Sequence, residues 1–316
     1  ANTILDSVRA ADADILAAPV KFFGVVDGKP LRLRGDALET LSTARDTIEL
    51  EQRLVGQGLE ISMVARIEFD GVIRYDWSIV GTGAARVDSL GIEIALHRKH
   101  AEYLYHFPGL WGTAKNSGAR PDEPVLMGFR PYVWLGDDRR GLGWFCESDR
   151  NWYPPANGLV TEVVTKGNRV LLRLHIISQP ILMRPATEKP AEWIATPELE
   201  AAASRDATIV DQPLELFGTQ HYTFGLQATP VKPVQPDAWD YRITHVGTKL
   251  TGHKKPLEVA PAILDRFVDA GVRTVVIHEQ WTDIEGHWIP TSEKQVRKIV
   301  KDCQSRGLKI LLYYSF

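Results

Sequence analysis

The chain has 316 residues, 44% of them hydrophobic and 24% charged, with 37 Lys and Arg against 40 Asp and Glu. At ~150 residues per domain that length predicts about two domains, each with enough apolar mass for a core. Charges of both signs are interspersed to a net −3, and no apolar run nears the ~20 residues of a membrane-spanning helix, so neither nucleic acid nor a membrane is an expected partner.

Ala1 to Asp6 carry neither an initiator Met nor the basic-then-apolar profile of a signal peptide. From Leu31 to about Phe224 the pattern is that of strands. Residues 59–69 alternate apolar and polar, Asp70-Gly71 supplies a hairpin turn and residues 72–79 return, which predicts two strands of a half-buried antiparallel sheet. Further strand-like segments follow at 89–97, 103–107, 125–135, 142–147, 158–166, 170–177 and 221–229. Turn-forming stretches such as Gly136-Asp137-Asp138 and Lys166-Gly167-Asn168 separate them. Short strands in this number predict a large β-sandwich. The charged segment 190–205 reads as a short helix that interrupts the pattern without changing the class.

Pro230, Pro233 and Pro236 make a stiff stretch that cannot join a central strand. It sets the expected boundary between a sandwich domain, 1–235, and a second domain, 236–316. Beyond it the apolar period becomes helical. Ala260, Ile263, Leu264, Phe267 and Val268 share one helix face, Gly271 stands where that helix stops, and residues 272–277 read as a buried strand. The unit then repeats. Ser292 with Gln295 has a capping-box pattern, Val296, Ile299, Val300 and Cys303 share a face, Gly307 ends the helix, and 309–314 is another buried strand. With a strand at 241–246 in front, the tail reads β-α-β-α-β, the opening of a parallel α/β fold. A (β/α)8 barrel takes ~250 residues. The expected fold is therefore mainly β: a large antiparallel β-sandwich followed by the first β-α-β-α-β units of a truncated (β/α)8 barrel.

Three phrases resemble one family. Phe224-Gly-Leu-Gln-Ala-Thr-Pro-Val-Lys-Pro233, the aromatic-rich stretch from Tyr132-Val-Trp-Leu-Gly136 through Trp144 to Trp152, and Ile277-His-Glu-Gln-Trp-Thr-Asp283 are similar to bacterial proteins related to glycoside hydrolase family 123. The resemblance runs from about Leu59 onward and implies an N-terminal β-sandwich with a C-terminal (β/α)8 catalytic barrel. It also implies hydrolysis of a β-linked N-acetylgalactosamine by substrate assistance. The acetamido oxygen of the substrate attacks the anomeric carbon, one carboxylate orients that amide, and a neighbouring carboxylic acid protonates the leaving oxygen. The family's adjacent Asp-Glu pair belongs to a later barrel strand. The main catalytic carboxylates are thus expected beyond residue 316, and residues 1–316 alone are expected to be inactive. A carbohydrate substrate, no cofactor and a secreted or periplasmic location accompany the same resemblance.

Ligands of such a barrel bind at the C-terminal ends of its strands. In Thr274-Val-Val-Ile-His-Glu-Gln-Trp-Thr-Asp283 the first four residues are strand, so His278, Glu279, Trp281 and Asp283 are expected to emerge at that end. Histidine and carboxylate groups can hold sugar hydroxyls, and an indole can floor a subsite. Glu279 is the candidate for proton transfer; its alternative is an ion-pair partner bracing the strand ends. Tyr313 and Tyr314 end the next strand, and alternation turns one toward the site and the other toward the core. In the sandwich, Gly136 to Gly141 reads as a hairpin whose Asp and Arg side chains pair while Trp134 and Trp144 fill the core, against a competing reading as a sugar-contacting or docking edge. His97 and His100 are expected to be solvated at a strand end.

Other chemistries lack their signatures. Cys146 and Cys303 are the only cysteines and have no zinc-ligand neighbours, and no acidic loop has calcium-ligand spacing, so no metal is expected. Gly81-Thr-Gly83 lacks the third glycine and helix of a dinucleotide site, and neither Gly-x-Ser-x-Gly nor His-Glu-x-x-His occurs. Nine Trp and nine Tyr suit sugar-binding surfaces as well as cores. The leading expectation is a fragment of a glycoside hydrolase acting on glycans that contain N-acetylhexosamine; the alternative is a non-catalytic carbohydrate-binding or scaffold module.

Overall fold

The structure, a computed structural model, describes residues 2–108, 116–185, 187, 214–232, 236–246, 259–278, 281–282 and 289–313. The chain divides into two compact units, Ala1–Pro233 and Val234–Phe316. Among the described residues no helix is long and apolar enough to cross a membrane.

The first unit consists of two large sheets over one core. One sheet has nine strands, with Thr3–Leu5, Leu16–Val26, Ala85–His97, Arg169–Ile177, Thr161–Lys166 and Val125–Met127 in spatial order. The other has ten, and at its centre Gly141–Phe145, Gln220–Thr229, Val72–Gly81, Leu59–Glu68 and Thr47–Gly56 lie side by side. Pairing is antiparallel except between Ile181–Arg184 and Leu214–Phe217, at one margin of the first sheet.

The hairpin read from alternation forms as expected. Ile61 pairs with Ile79, Met63 with Trp77 and Ala65 with Tyr75, so one face of each strand points into the core while Ser62, Val64 and Arg66 point away. Gly71 closes the turn at φ +85°, a conformation that favours glycine, and Asp70 Oδ1 accepts the Val72 N–H at 3.1 Å. Across the core Phe22 of the nine-stranded sheet meets Trp77 of the ten-stranded one, ring centroids 5.0 Å apart, and Trp77 stacks on Tyr222 at 4.2 Å. Aromatic rings of this size bury ~150–250 Å² each, so this seam ties the two sheets together within the larger aliphatic core.

Three expectations change. The strand pattern begins well before Leu31, because Leu16–Val26 is an eleven-residue strand inside the nine-stranded sheet. Pro19 concealed it. Pairing with Ala85–His97 slips by one residue there, Glu93 facing Lys21 but Ala95 facing Ala18, and the bulge accommodates a residue with no N–H to donate. Residues 125–135 are two strands: Val125–Met127 pairs with Thr161–Lys166 in one sheet, whereas Tyr132–Gly136 pairs with Gly141–Phe145 in the other. The chain changes sheets across Gly128 to Pro131. His100 is buried rather than solvated, since a 3₁₀ turn at Arg98–His100 carries its Nδ1 to 2.6 Å from Asp137 Oδ2. The helix expected at 190–205 lies outside the described residues.

In the second unit three parallel strands, Arg242–Val246, Val272–Ile277 and Lys309–Leu312, pair in that order. Helices α1, Pro261–Asp269, and α2, Glu293–Gln304, connect into them. Pro261 opens α1 where a missing N–H costs nothing, Ser292 Oγ accepts the Gln295 N–H at 3.4 Å to cap α2, and Gly271 and Gly307 follow the helices with φ of +74° each. Leu264, Ile299 and Cys303 bury one face of the two helices on Val275 and Ile277.

Candidate functional site

The register of the parallel sheet sorts its side chains. Val246, Val275, Ile277, Ile310 and Leu312 pack with the helices. The opposite face carries Ile243 beside Thr274 and Lys309, then His245 beside Val276 and Leu311. Ile243 is 53% exposed and Leu311 54%, so no helix among the described residues covers that face. Near the N-terminal edge the Tyr241 hydroxyl bonds Thr274 Oγ1 at 2.8 Å, with the Lys309 ammonium 5.3 Å above its ring. The hydrogen bonds with Thr274 and Lys309, aided by the charges of Lys309 and Arg273, pull the Tyr241 phenol below its ordinary range.

At the C-terminal edge the strand ends bring three rings together. The His278 N–H donates to Val246 O at 3.1 Å and the Tyr313 N–H to Ile277 O at 2.8 Å, so the backbone ladder itself sets their places. His245 Nδ1 lies 2.6 Å from His278 Nε2, and the Tyr313 ring stacks on His278 with centroids 4.5 Å apart. In that contact one imidazole nitrogen donates and the other accepts. The pair stands beside an aromatic ring, that of Tyr313, which is 40% exposed.

Trp281 sits differently from a subsite floor. It is 5% exposed, belongs to the core of the second unit, and its indole N–H donates to Tyr313 O at 2.7 Å. It braces the Tyr313 backbone from below. Of the residues expected at the strand ends, the structure thus brings His278 and Tyr313 into one exposed group, with Trp281 behind Tyr313. Glu279, Asp283 and Tyr314 lie outside the described residues. His245 was not among the expected site residues. Its signal was available, as the penultimate residue of the short strand before the first helix.

The turn at Gly136 to Gly141 is occupied with its own structure. Asp137 accepts the N–H groups of Arg139 and Arg140 at 2.7 Å and 2.9 Å as well as the His100 bond, and Arg140 Nε stands 3.9 Å away. Burial pushes the Asp137 carboxyl up, but these hydrogen bonds together outweigh it and hold the group below the usual carboxylate range. Trp144 is 1% exposed in the core, and Trp134 donates to Thr229 Oγ1 at 2.9 Å.

Residues 2–157 match the family model described as glycoside hydrolase 123, third domain. The match takes in the Tyr132-to-Trp152 phrase and starts well before Leu59, whereas the phrases at 224–233 and 277–283 lie outside it. No curated protein matches the chain by sequence. Among solved structures, the GH36 α-galactosidase AgaB of Geobacillus stearothermophilus is 13% identical with a TM-score of 0.39, covering 98% of this chain and 47% of that one. An α-galactosidase of Lactobacillus brevis is 11% identical, TM-score 0.38, covering 98% and 46%. A galactose mutarotase related enzyme of Lactobacillus acidophilus is 10% identical, TM-score 0.41, covering 72% and 91%. The chain spans about half the length of the two α-galactosidases. The family match supports a glycoside hydrolase 123-like domain over residues 2–157 and, with it, a carbohydrate-related role.

Proposed function

We propose that the chain is part of a glycoside hydrolase, with residues 236–316 supplying the opening strands of a (β/α)8 barrel, and that its substrate is a glycan containing N-acetylhexosamine. The observation that supports this reading most is the placement of His245, His278 and Tyr313 together at the C-terminal ends of three adjacent parallel strands. In α/β barrels that edge is where ligands bind, and the strand face turned away from the helices lines the interior. Ile243, Val276 and Leu311 would then face the barrel lumen. The imidazole pair would hold sugar hydroxyls, and Tyr313 would meet the C–H face of a pyranose. Glu279, Asp283 and Tyr314 belong to the same proposed rim, with Glu279 the candidate for proton transfer. The carboxylates that orient the acetamide and protonate the leaving oxygen are assigned outside residues 1–316.

The test uses residues 1–316 with nitrophenyl β-glycosides of N-acetylgalactosamine and N-acetylglucosamine. No turnover is expected, while millimolar N-acetylgalactosamine should perturb the His278 and Tyr313 resonances, and in His278→Ala the effect on Tyr313 should be lost. Turnover by 1–316 alone would overturn the assignment of the carboxylates, and undisturbed His278 and Tyr313 signals would overturn the assignment of the rim.

A further inference from the structure

The first unit holds a cavity of about 430 Å³ against the ten-stranded sheet, within the ~300–1,000 Å³ range of small-ligand sites. Its floor contains one cross-strand row, Leu50, Ala65 and Tyr75, paired side by side on three adjacent strands. Ala65 accounts for the space. A methyl group stands there between a leucine and a tyrosine, where a longer side chain would fill the dip. Gln52, Asp36 and Asp6 supply the polar lining.

Tyr75 is the informative member. Its ring stacks on Phe224 with centroids 4.8 Å apart, and the residue is only 2% exposed. Its hydroxyl nevertheless has no hydrogen-bond partner among the described residues, and desolvation alone pushes its pKa up. A buried tyrosine ordinarily finds a partner for that group. Tyr75 lines the cavity beside Gln52, so a guest there can reach it.

We propose that this cavity is a binding site for one neutral sugar unit. Leu50, Ala65 and Met63 offer a C–H floor to the apolar face of a pyranose ring. The Tyr75 hydroxyl and Gln52 amide each donate and accept, as sugar hydroxyls do, and the carboxylates of Asp6 and Asp36 can accept from neighbouring hydroxyls. Among the described residues no Lys or Arg lines the cavity, so its acids repel uronic acids and sugar phosphates. A purely apolar guest would leave Tyr75 unpaired and dry, which disfavours it. The site stands on the sandwich alone and does not depend on the barrel reading.

The test titrates residues 1–316 with the methyl β-glycosides of galactose, glucose and N-acetylgalactosamine, with glucuronate and cyclohexanol as counter-probes, by saturation-transfer NMR. At least one neutral glycoside should bind saturably in the millimolar range and glucuronate should not. Ala65→Met should abolish that binding by filling the floor. Tyr75→Phe should weaken it about 3- to 10-fold without lowering Tm, because the oxygen it removes has no partner in the protein. Arg297→Ala, on the exposed face of α2 in the other unit, should leave it unchanged. Failure of all three glycosides to bind the folded protein overturns the proposal. So does cyclohexanol binding as tightly as the glycosides, or affinity that is unaltered by Tyr75→Phe. If Ala65→Met does not fold, Tyr75→Phe decides alone.

Discussion

Replacing Asp137 by Asn tests how the sandwich holds its buried polar cluster. Asp137 is 14% exposed in its side chain and its partner His100 10%, so solvent screens their contact little. Asn can still accept the two turn N–H groups, but the charge-assisted bond to His100 Nδ1 at 2.6 Å is lost. A hydrogen bond to a charged group contributes ~1.5–3 kcal/mol, which for a domain of this size lowers Tm by roughly 3–12 °C at neutral pH. The pH dependence has a definite sign. The folded carboxyl titrates below its ordinary value of ~3.9, so its contribution is complete above that value and is lost as pH falls through the lower, folded value. Urea midpoints of wild type and Asp137→Asn should therefore differ most near neutrality and converge in acid, below about pH 4. Equal midpoints at neutral pH, or a gap that widens in acid, would refute the reasoning.

Two further substitutions probe the packing of each unit. A Cβ on Gly225 would lie 2.0 Å from Phe145 Cζ, so Gly225→Ala should cost about 1–3 kcal/mol in thermal unfolding, and Phe145→Leu in the same chain should recover part of it. Leu264 is 0% exposed between α1 and the parallel sheet, and Leu264→Ala should cost about 2–5 kcal/mol. Limited proteolysis should then cut the second unit first while the sandwich stays resistant.

Where local signals agreed with tertiary context, the sequence was readable. Asp70-Gly71 between two alternating segments identified the hairpin, and the Ser292 cap, Gly271 and Gly307 bounded the helices, because turn and cap chemistry acts over a few residues. Leu16–Val26 was unreadable for the opposite reason: its environment is a sheet interior, and the bulge that makes Pro19 tolerable there depends on Ala85–His97, remote in sequence. Residues 125–135 ran together because an apolar run does not say which of two sheets each half will join. At the strand ends, the phrase Ile277 to Asp283 pointed to His278, but only parallel pairing with Arg242–Val246 reveals that His245 is its neighbour. The role of Trp281 depended on whether its indole N–H faced solvent or the Tyr313 carbonyl, and residue type is silent on that.

The position of Gln220–Thr229 has a consequence for how the chain is made. This strand pairs with Val72–Gly81 on one side and Gly141–Phe145 on the other, joining two blocks of sheet that are complete much earlier in the sequence. At ~5–20 residues per second the open edge of Val72–Gly81 waits on the order of ten seconds on the ribosome for its neighbour. During that interval it presents unpaired N–H and C=O groups beside Tyr75 and Trp77, a template for pairing with another nascent chain. Yield should therefore depend on synthesis rate and on chaperone supply more steeply than the stability of the finished sandwich would suggest.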